Sequence, residues 1–199
     1  MEINLKALKA VALFCSKEER RYYLRGVHIQ FQSDCLIFEA TNGHYLTMLR
    51  QKLNENLNHV PGNVIVPISL IDRIKLDKKS CYAELTIEND KITITHMGAS
   101  YSENRIDGVF PDTKRIAPET TSGEVAQFDA QYPALYKKAA KMFGQSEVSI
   151  SHNGQSPALV HWLTADSTIE AFGVLMPMRT SSPMQVSPSW ARYAQSNAA

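Results

Sequence analysis

Val64-Ile65-Val66-Pro67-Ile68-Ser69-Leu70-Ile71-Asp72-Arg73-Ile74 and, a few residues later, Ala83-Glu84-Leu85-Thr86-Ile87-Glu88-Asn89-Asp90-Lys91-Ile92-Thr93-Ile94-Thr95 carry the pattern that decides the fold. The first stretch begins as a β-branched strand and then places Leu70, Ile71 and Ile74 at helical spacing. The second alternates Ala83, Leu85 and Ile87 with Glu84, Thr86 and Glu88. It turns at Asn89-Asp90, then alternates Ile92 and Ile94 with Thr93 and Thr95, which is the signature of a half-buried hairpin. A further strand leads to Ile106. The unit is therefore strand, short helix, three strands.

Working outward, the same unit occurs on both sides. Upstream, Leu5, Leu8, Val11, Ala12 and Cys15 recur at helical spacing, and strands are expected over 22–31, 35–41 and 45–50. Downstream, Val125 to Phe128 opens a third cycle. Asp129 is placed to cap a helix whose face is Leu135, Ala139 and Met142, and Gly144 ends it. Strands follow at 147–151, 159–163 and 172–176, with a turn at Asn153-Gly154. The helices begin near residues 5, 68 and 130, so one supersecondary unit recurs at a period of about sixty residues. A lone unit buries too little apolar surface to be stable, so the three must share sheets or pack helices. Residues 119–123 read as a polar link, and 180–199, rich in Ser, Pro, Gln and Ala, as a tail.

The 199 residues are 44% hydrophobic and 21% charged, with a net charge of +1, so whole-chain charge selects no partner. Cys15, Cys35 and Cys81 are scattered, which fits buried thiols in a reducing compartment. The apolar run Ala10–Cys15 is too short to span a membrane and lacks a cleavage site, so the expectation is a cytoplasmic protein. No phosphate-binding, nucleophile-elbow or metalloprotease motif is present, and the six histidines lack ligand spacing. The sequence thus points to no catalytic residue, no metal and no cofactor. The helices, however, carry Lys6 and Lys9, then Arg73 and Lys75 followed by Lys78 and Lys79, and finally Lys137, Lys138 and Lys141. If the three helices share one surface, it would hold phosphates without reading sequence; alternatively these are ordinary solvated helix positions.

Four stretches, in order, resemble the bacterial DNA polymerase III beta subunit, or beta sliding clamp, family. They are Arg21-Tyr22-Tyr23-Leu24-Arg25-Gly26-Val27, Ala40-Thr41-Asn42-Gly43-His44-Tyr45-Leu46, Asp107-Gly108-Val109-Phe110-Pro111-Asp112 with Arg115 and Pro118 in step, and Val174-Leu175-Met176-Pro177-Met178-Arg179. The resemblance covers most of residues 1–179 and implies an α+β DNA-clamp fold. That fold repeats strand-helix-three-strand units, with antiparallel sheets outside and helices on one face. It implies a shortened form in which 1–118 correspond to the family's middle domain, 119–179 to the second half of its last domain, and 180–199 to an added tail.

Functionally, the resemblance implies a non-catalytic processivity accessory of a DNA polymerase that captures short linear motifs of polymerases and partner proteins and contacts duplex DNA. Whether it forms a homo-oligomer stays open. The alternative is a motif-binding module that never encircles DNA and competes with or regulates a full clamp. The implied motif pocket consists of Leu24, Thr41, Gly43, His44, Tyr45, Leu46, Pro111, Arg115, Ile116, Val174, Met176, Pro177, Met178 and Arg179. Residue chemistry is compatible: Leu24, Leu46, Met176 and Met178 would give an apolar floor, while Thr41, His44 and Arg179 would fix polar groups. Tyr45 stands where the family has arginine, which would remove a charge from the rim. Read without the resemblance, Thr41–His44 is simply a hairpin turn and Met176–Met178 core filling.

Overall fold

A computed structural model describes residues 1–55, 62–77, 80–162 and 164–179. The first unit is β1 (Glu2–Asn4), α1 (Leu5–Ala12), β2 (Gly26–Phe31), β3 (Cys35–Thr41) and β4 (Tyr45–Lys52). The second is β5 (Asn63–Pro67), α2 (Ile68–Arg73), β6 (Tyr82–Glu88), β7 (Lys91–His96) and β8 (Ala99–Asn104). The third is α3 (Gln131–Met142), β9 (Val148–Ser151), β10 (Ala158–Trp162) and β11 (Ile169–Leu175).

The first two units exchange their opening strands. β1 pairs antiparallel with β6, Ile3 opposite Ala83, while β5 pairs antiparallel with β2, Val66 opposite Val27. This gives a four-stranded sheet in the order β1-β6-β7-β8 and a seven-stranded sheet in the order β5-β2-β3-β4-β11-β10-β9. Each sheet turns its apolar alternate residues inward, and α1 lies between them with Leu5, Ala7, Leu8, Ala10 and Val11 fully buried. The side chain of Asn4 caps α1 by accepting from the N–H groups of Lys6 and Ala7, a contribution of about 1 kcal/mol. Gly26 is required where β2 meets β5, because a Cβ there would lie 2.5 Å from the Val66 carbonyl oxygen.

One expected strand starts late, and the stretch that opens the third cycle forms no strand. Tyr22–Leu24 belongs to a 3₁₀ turn over Glu19–Leu24, closed by Arg25 N–H donating to the Tyr22 carbonyl and followed by Ser16 N–H donating to that of Leu24. The strand starts only at Gly26, where β5 becomes available. Val125–Phe128 is likewise no strand: no neighbouring unit supplies the sheet edge on which the corresponding strands β1 and β5 lie. Asp129 does accept from the Gln131 N–H at the start of α3. Gly144, at φ +77°, ends that helix with Gln145 N–H donating to the Ala140 carbonyl.

The third unit joins the first through β11, which pairs with β4 from Ile169 opposite Gln51 to Leu175 opposite Tyr45. Across this junction lies Tyr136 of α3, fully buried. Its hydroxyl sits 2.6 Å from the Leu46 carbonyl oxygen and 3.1 Å from that of Val174, one on each strand. Its ring occupies the place where Gly173 has no side chain, since a Cβ there would be 2.1 Å from the ring. The Phe14 ring packs on it at 4.6 Å. Burial pushes the phenol well above its ordinary range.

Tyr136→Phe should therefore lower stability by about 1–2 kcal/mol, the cost of a lost buried hydrogen bond. Gly173→Ala should cost about 3 kcal/mol through overpacking, with both values read from urea unfolding midpoints.

Candidate functional site

Residues 105–118 leave β8 and run as a strap over the outer face of the seven-stranded sheet. Ile106 N–H donates to the Ile65 carbonyl at the strap's start, and Phe110 stacks on His28 at 4.6 Å. The strap is pinned by Glu39 on β3, which is fully buried. Its Oε1 lies 2.6 Å from His28 Nδ1 and accepts from Gln30 Nε2 at 2.5 Å, while its other oxygen accepts from the Thr113 hydroxyl. A buried carboxylate is stable only when so surrounded by donors. From Thr113 a 3₁₀ turn carries Ile116 and Ala117 onto the sheet, where they pack against Leu46, Met48 and Val174.

This apolar cluster is the core of the candidate site. Leu46 and Met48 come from β4 of the first unit, and Val174 from β11 of the third. Ile37, Leu159 and Phe172 complete it. Beside it a cavity of about 420 Å³ is lined by Ile37, Met48, Leu49, Arg50, Glu170, Ala171 and Phe172. Its charged rim is Glu170, 2.5 Å from Arg50 and 3.2 Å from Lys52. Hydrogen bonds from Lys52 and Arg50 hold the Glu170 carboxyl below the usual range.

The expected pocket residues divide around this cluster. Leu46, Ile116 and Val174 meet in it, and Met176 N–H donates to the His44 carbonyl, bringing the chain after β11 against the 42–44 turn. Of the four residues expected to form an apolar floor, Met176 and Met178 are 38% and 48% exposed, whereas Leu46 and Leu24 are buried. Leu24 lies in a separate cluster with Ile65 and Phe110, under the strap.

Thr41 serves the turn: its hydroxyl donates to the Tyr45 carbonyl and accepts from the Gly43 N–H. Gly43, at φ +94°, supplies the left-handed residue, with Arg21 donating to the neighbouring Asn42 carbonyl. Tyr45 is not on the rim. The register that turns Leu46 outward turns Tyr45 inward, edge-on to Phe14 at 5.6 Å and Tyr132 at 5.0 Å, and burial pushes its phenol up to about 12. Pro111 and Arg115 are exposed on the strap, Arg115 paired with Asp112 at 2.9 Å. Pro177 is half-buried and Arg179 exposed.

Sequence reasoning overlooked Ile37, Met48 and Phe172. Their signal was the period of two: Met48 follows Leu46 and Phe172 precedes Val174 by two positions, so both share the outer face.

On the opposite side, α1 contacts both α2 and α3, so the three helices form one layer. Lys9 is used within it, donating to the Ile71 carbonyl at 2.9 Å, and desolvation lowers its pKa. Arg73 is paired with Glu103 at 2.9 Å. Lys75, Lys137, Lys138 and Lys141 are exposed and Lys6 half-buried. Lys78, Lys79 and the tail 180–199 lie outside the described residues. Among the described residues no group of side chains could hold a metal ion, and no helix is long and apolar enough to cross a membrane.

Comparison with known proteins agrees with this architecture. Residues 3–112 match the family model of the DNA polymerase III beta subunit, central domain. The beta sliding clamp of Caulobacter vibrioides is 30% identical over 109 residues, covering 52% of this chain and 29% of that protein. The clamp of Synechococcus elongatus is 26% identical over 153 residues, 73% of this chain and 40% of that protein. Among solved structures, the DNA polymerase sliding clamp of Bacillus subtilis superposes with a TM-score of 0.71 at 17% identity, covering 91% of this chain and 64% of that one. The sliding clamp of Pseudomonas aeruginosa bound to griselimycin gives 0.70 at 18% identity, covering 90% and 65%. This chain thus spans less than two thirds of the length of these proteins. With its two exchanged strand-helix-three-strand units and a match over 3–112, the chain belongs to the DNA polymerase III beta subunit, or beta sliding clamp, family.

Proposed function

We propose that this protein is a clamp-like replication accessory, non-catalytic and cytoplasmic, that tethers partner proteins by their short linear motifs while its helix layer rests on duplex DNA. In this reading residues 1–118 act as one clamp domain and 119–179 as half of another. The observation that carries it is the cluster of Leu46, Met48 and Val174, built jointly by the first and third units and bordered by the exposed Met176 and Met178. Such a surface, apolar with a flexible methionine edge and a polar turn beside it, suits one or two anchoring side chains of an extended peptide. The 42–44 turn and Arg179 would meet the peptide's polar groups. The lysines of α3, with Lys6 and Lys75, would make phosphate contacts that fix no sequence.

A labelled peptide beginning with glutamine and ending in leucine-phenylalanine should bind with a micromolar dissociation constant, about 8 kcal/mol. Met178→Ala should weaken it by about 1–2 kcal/mol, roughly tenfold; fluorescence anisotropy measures both, and no binding at high micromolar peptide would refute the site. Duplex DNA should bind weakly and without sequence preference, with affinity falling steeply as salt rises. Changing Lys137, Lys138 and Lys141 together to Glu should abolish that binding in a filter or anisotropy assay while leaving peptide affinity unchanged.

A further inference from the structure

Building on the motif-binding reading of the Leu46, Met48 and Val174 cluster, we propose that the contact between Glu39 and Thr113 is a latch that sets the affinity of that site. Thr113 is then a positioning residue for partner capture, although it touches no partner. The strap over 105–118 has few holds on the body of the protein. Phe110 and Thr113 are its only buried residues. Phe110 stacks on His28, and Thr113 donates its hydroxyl to one carboxylate oxygen of Glu39. Both holds converge, because His28 Nδ1 lies 2.6 Å from the other oxygen of the same carboxylate. Arg115 pairs with Asp112, inside the strap. Among the hydrogen bonds of the described residues, that of Thr113 is the one that ties 107–118 to the sheet.

The latch stands beside the wall that it holds. Glu39 lies directly opposite Met48 across β3 and β4, and Thr41 opposite Leu46, so the carboxylate and the cluster share the outer face. Ile116 N–H donates to the Thr113 carbonyl, which closes the 3₁₀ turn and makes the position of Ile116 follow that of Thr113. Ile116 and Ala117 are thereby laid on Leu46, Met48 and Val174 as a wall that neither β4 nor β11 supplies. They are only half-buried and rest on the sheet by apolar contact.

The strap has room to lift. A cavity of about 510 Å³ adjoins the latch, with His28, Gln30, Phe110 and Thr113 in its lining. Water entering there can take the place of the Thr113 hydroxyl on Glu39, so opening leaves no bare carboxylate. Two arrangements follow: a closed one with Ile116 and Ala117 on the cluster, and an open one in which the cluster lacks that wall. A partner side chain seated against Ile116 favours the closed arrangement. By reciprocity, whatever opens the latch weakens capture, in proportion to the closed fraction that is lost.

Thr113→Val keeps the shape of the side chain and removes the donor. In the full chain it should speed tryptic cleavage after Lys114 and Arg115 by roughly tenfold, the weight of one hydrogen bond to a charged group. It should raise the dissociation constant of the peptide that begins with glutamine and ends in leucine-phenylalanine by about threefold or more. Thr113→Ser, which keeps the hydroxyl, should leave both values near those of the unaltered chain. Ile92→Val, a loss of buried volume in the four-stranded sheet, should lower the urea midpoint and change neither value, which separates the latch from a general loss of stability. Saturating peptide should slow cleavage of the strap in the unaltered chain, a measurement that stands even where Thr113→Val does not fold. Equal peptide affinity in Thr113→Val and the unaltered chain would overturn the latch. So would a Thr113→Ser variant as impaired as Thr113→Val, or a strap cut as fast with peptide as without it. Absence of peptide binding by the unaltered chain would overturn the motif-binding reading itself.

Discussion

The placement of Tyr136 over Gly173 governs what this molecule can do. The third unit touches the first along β4 and β11, and strand pairing alone would leave that joint free to twist. The tyrosine fills the space left by a missing side chain, anchors its hydroxyl on both strands, and reaches Phe14 at the end of α1. One side chain thereby fixes α3 to the sheet and to the first helix together. The apolar cluster on the opposite face, centred on Leu46 and Met48 of β4 and Val174 of β11, keeps its shape because that joint is fixed from behind.

The strap answers to a different constraint. Glu39 stands in the middle of β3 on a face that the strap closes, where an unaccompanied carboxylate would be costly. Its partners come from β2 and, through Thr113, from the strap itself. The need to surround the carboxylate holds the strap down, and its continuation delivers Ile116 and Ala117 to the cluster. A polar requirement in one place thus positions apolar side chains in another.

Much of this was legible in the sequence. The alternations at 83–95, the helical spacing in 5–15 and the sixty-residue recurrence give the elements nearly as they occur, because both periods reflect which face meets the core. The late start of β2 and the irregular stretch Val125–Phe128 mark where local pattern fails. Tyr22–Leu24 has strand propensity but stands before the point where a partner strand begins. Val125–Phe128 has the right residues and no edge to join; pairing is a property of neighbours and no window of sequence contains it. At the site, the turn Thr41–Leu46 and the run Val174–Arg179 were found as motifs. The inward turn of Tyr45, the burial of Leu24 and the contribution of Ile37 and Phe172 depend on register between strands far apart in the chain. The same holds for Lys9 and Arg73, which read as surface cations and are spent on Ile71 and Glu103.

The exchange of opening strands between the first two units also sets an order of events during synthesis. β1 can complete its strand pairing only beside β6, with Ile3 opposite Ala83, so it waits for some eighty residues before its partner strand exists. At the usual pace of a ribosome that wait lasts about 4–16 s. Meanwhile α1, apolar on nearly every side, has only half of its surroundings. The nascent chain is thus most vulnerable to sticking or premature cleavage in the interval between completion of the first unit and emergence of the second. Pairings this distant also slow spontaneous refolding.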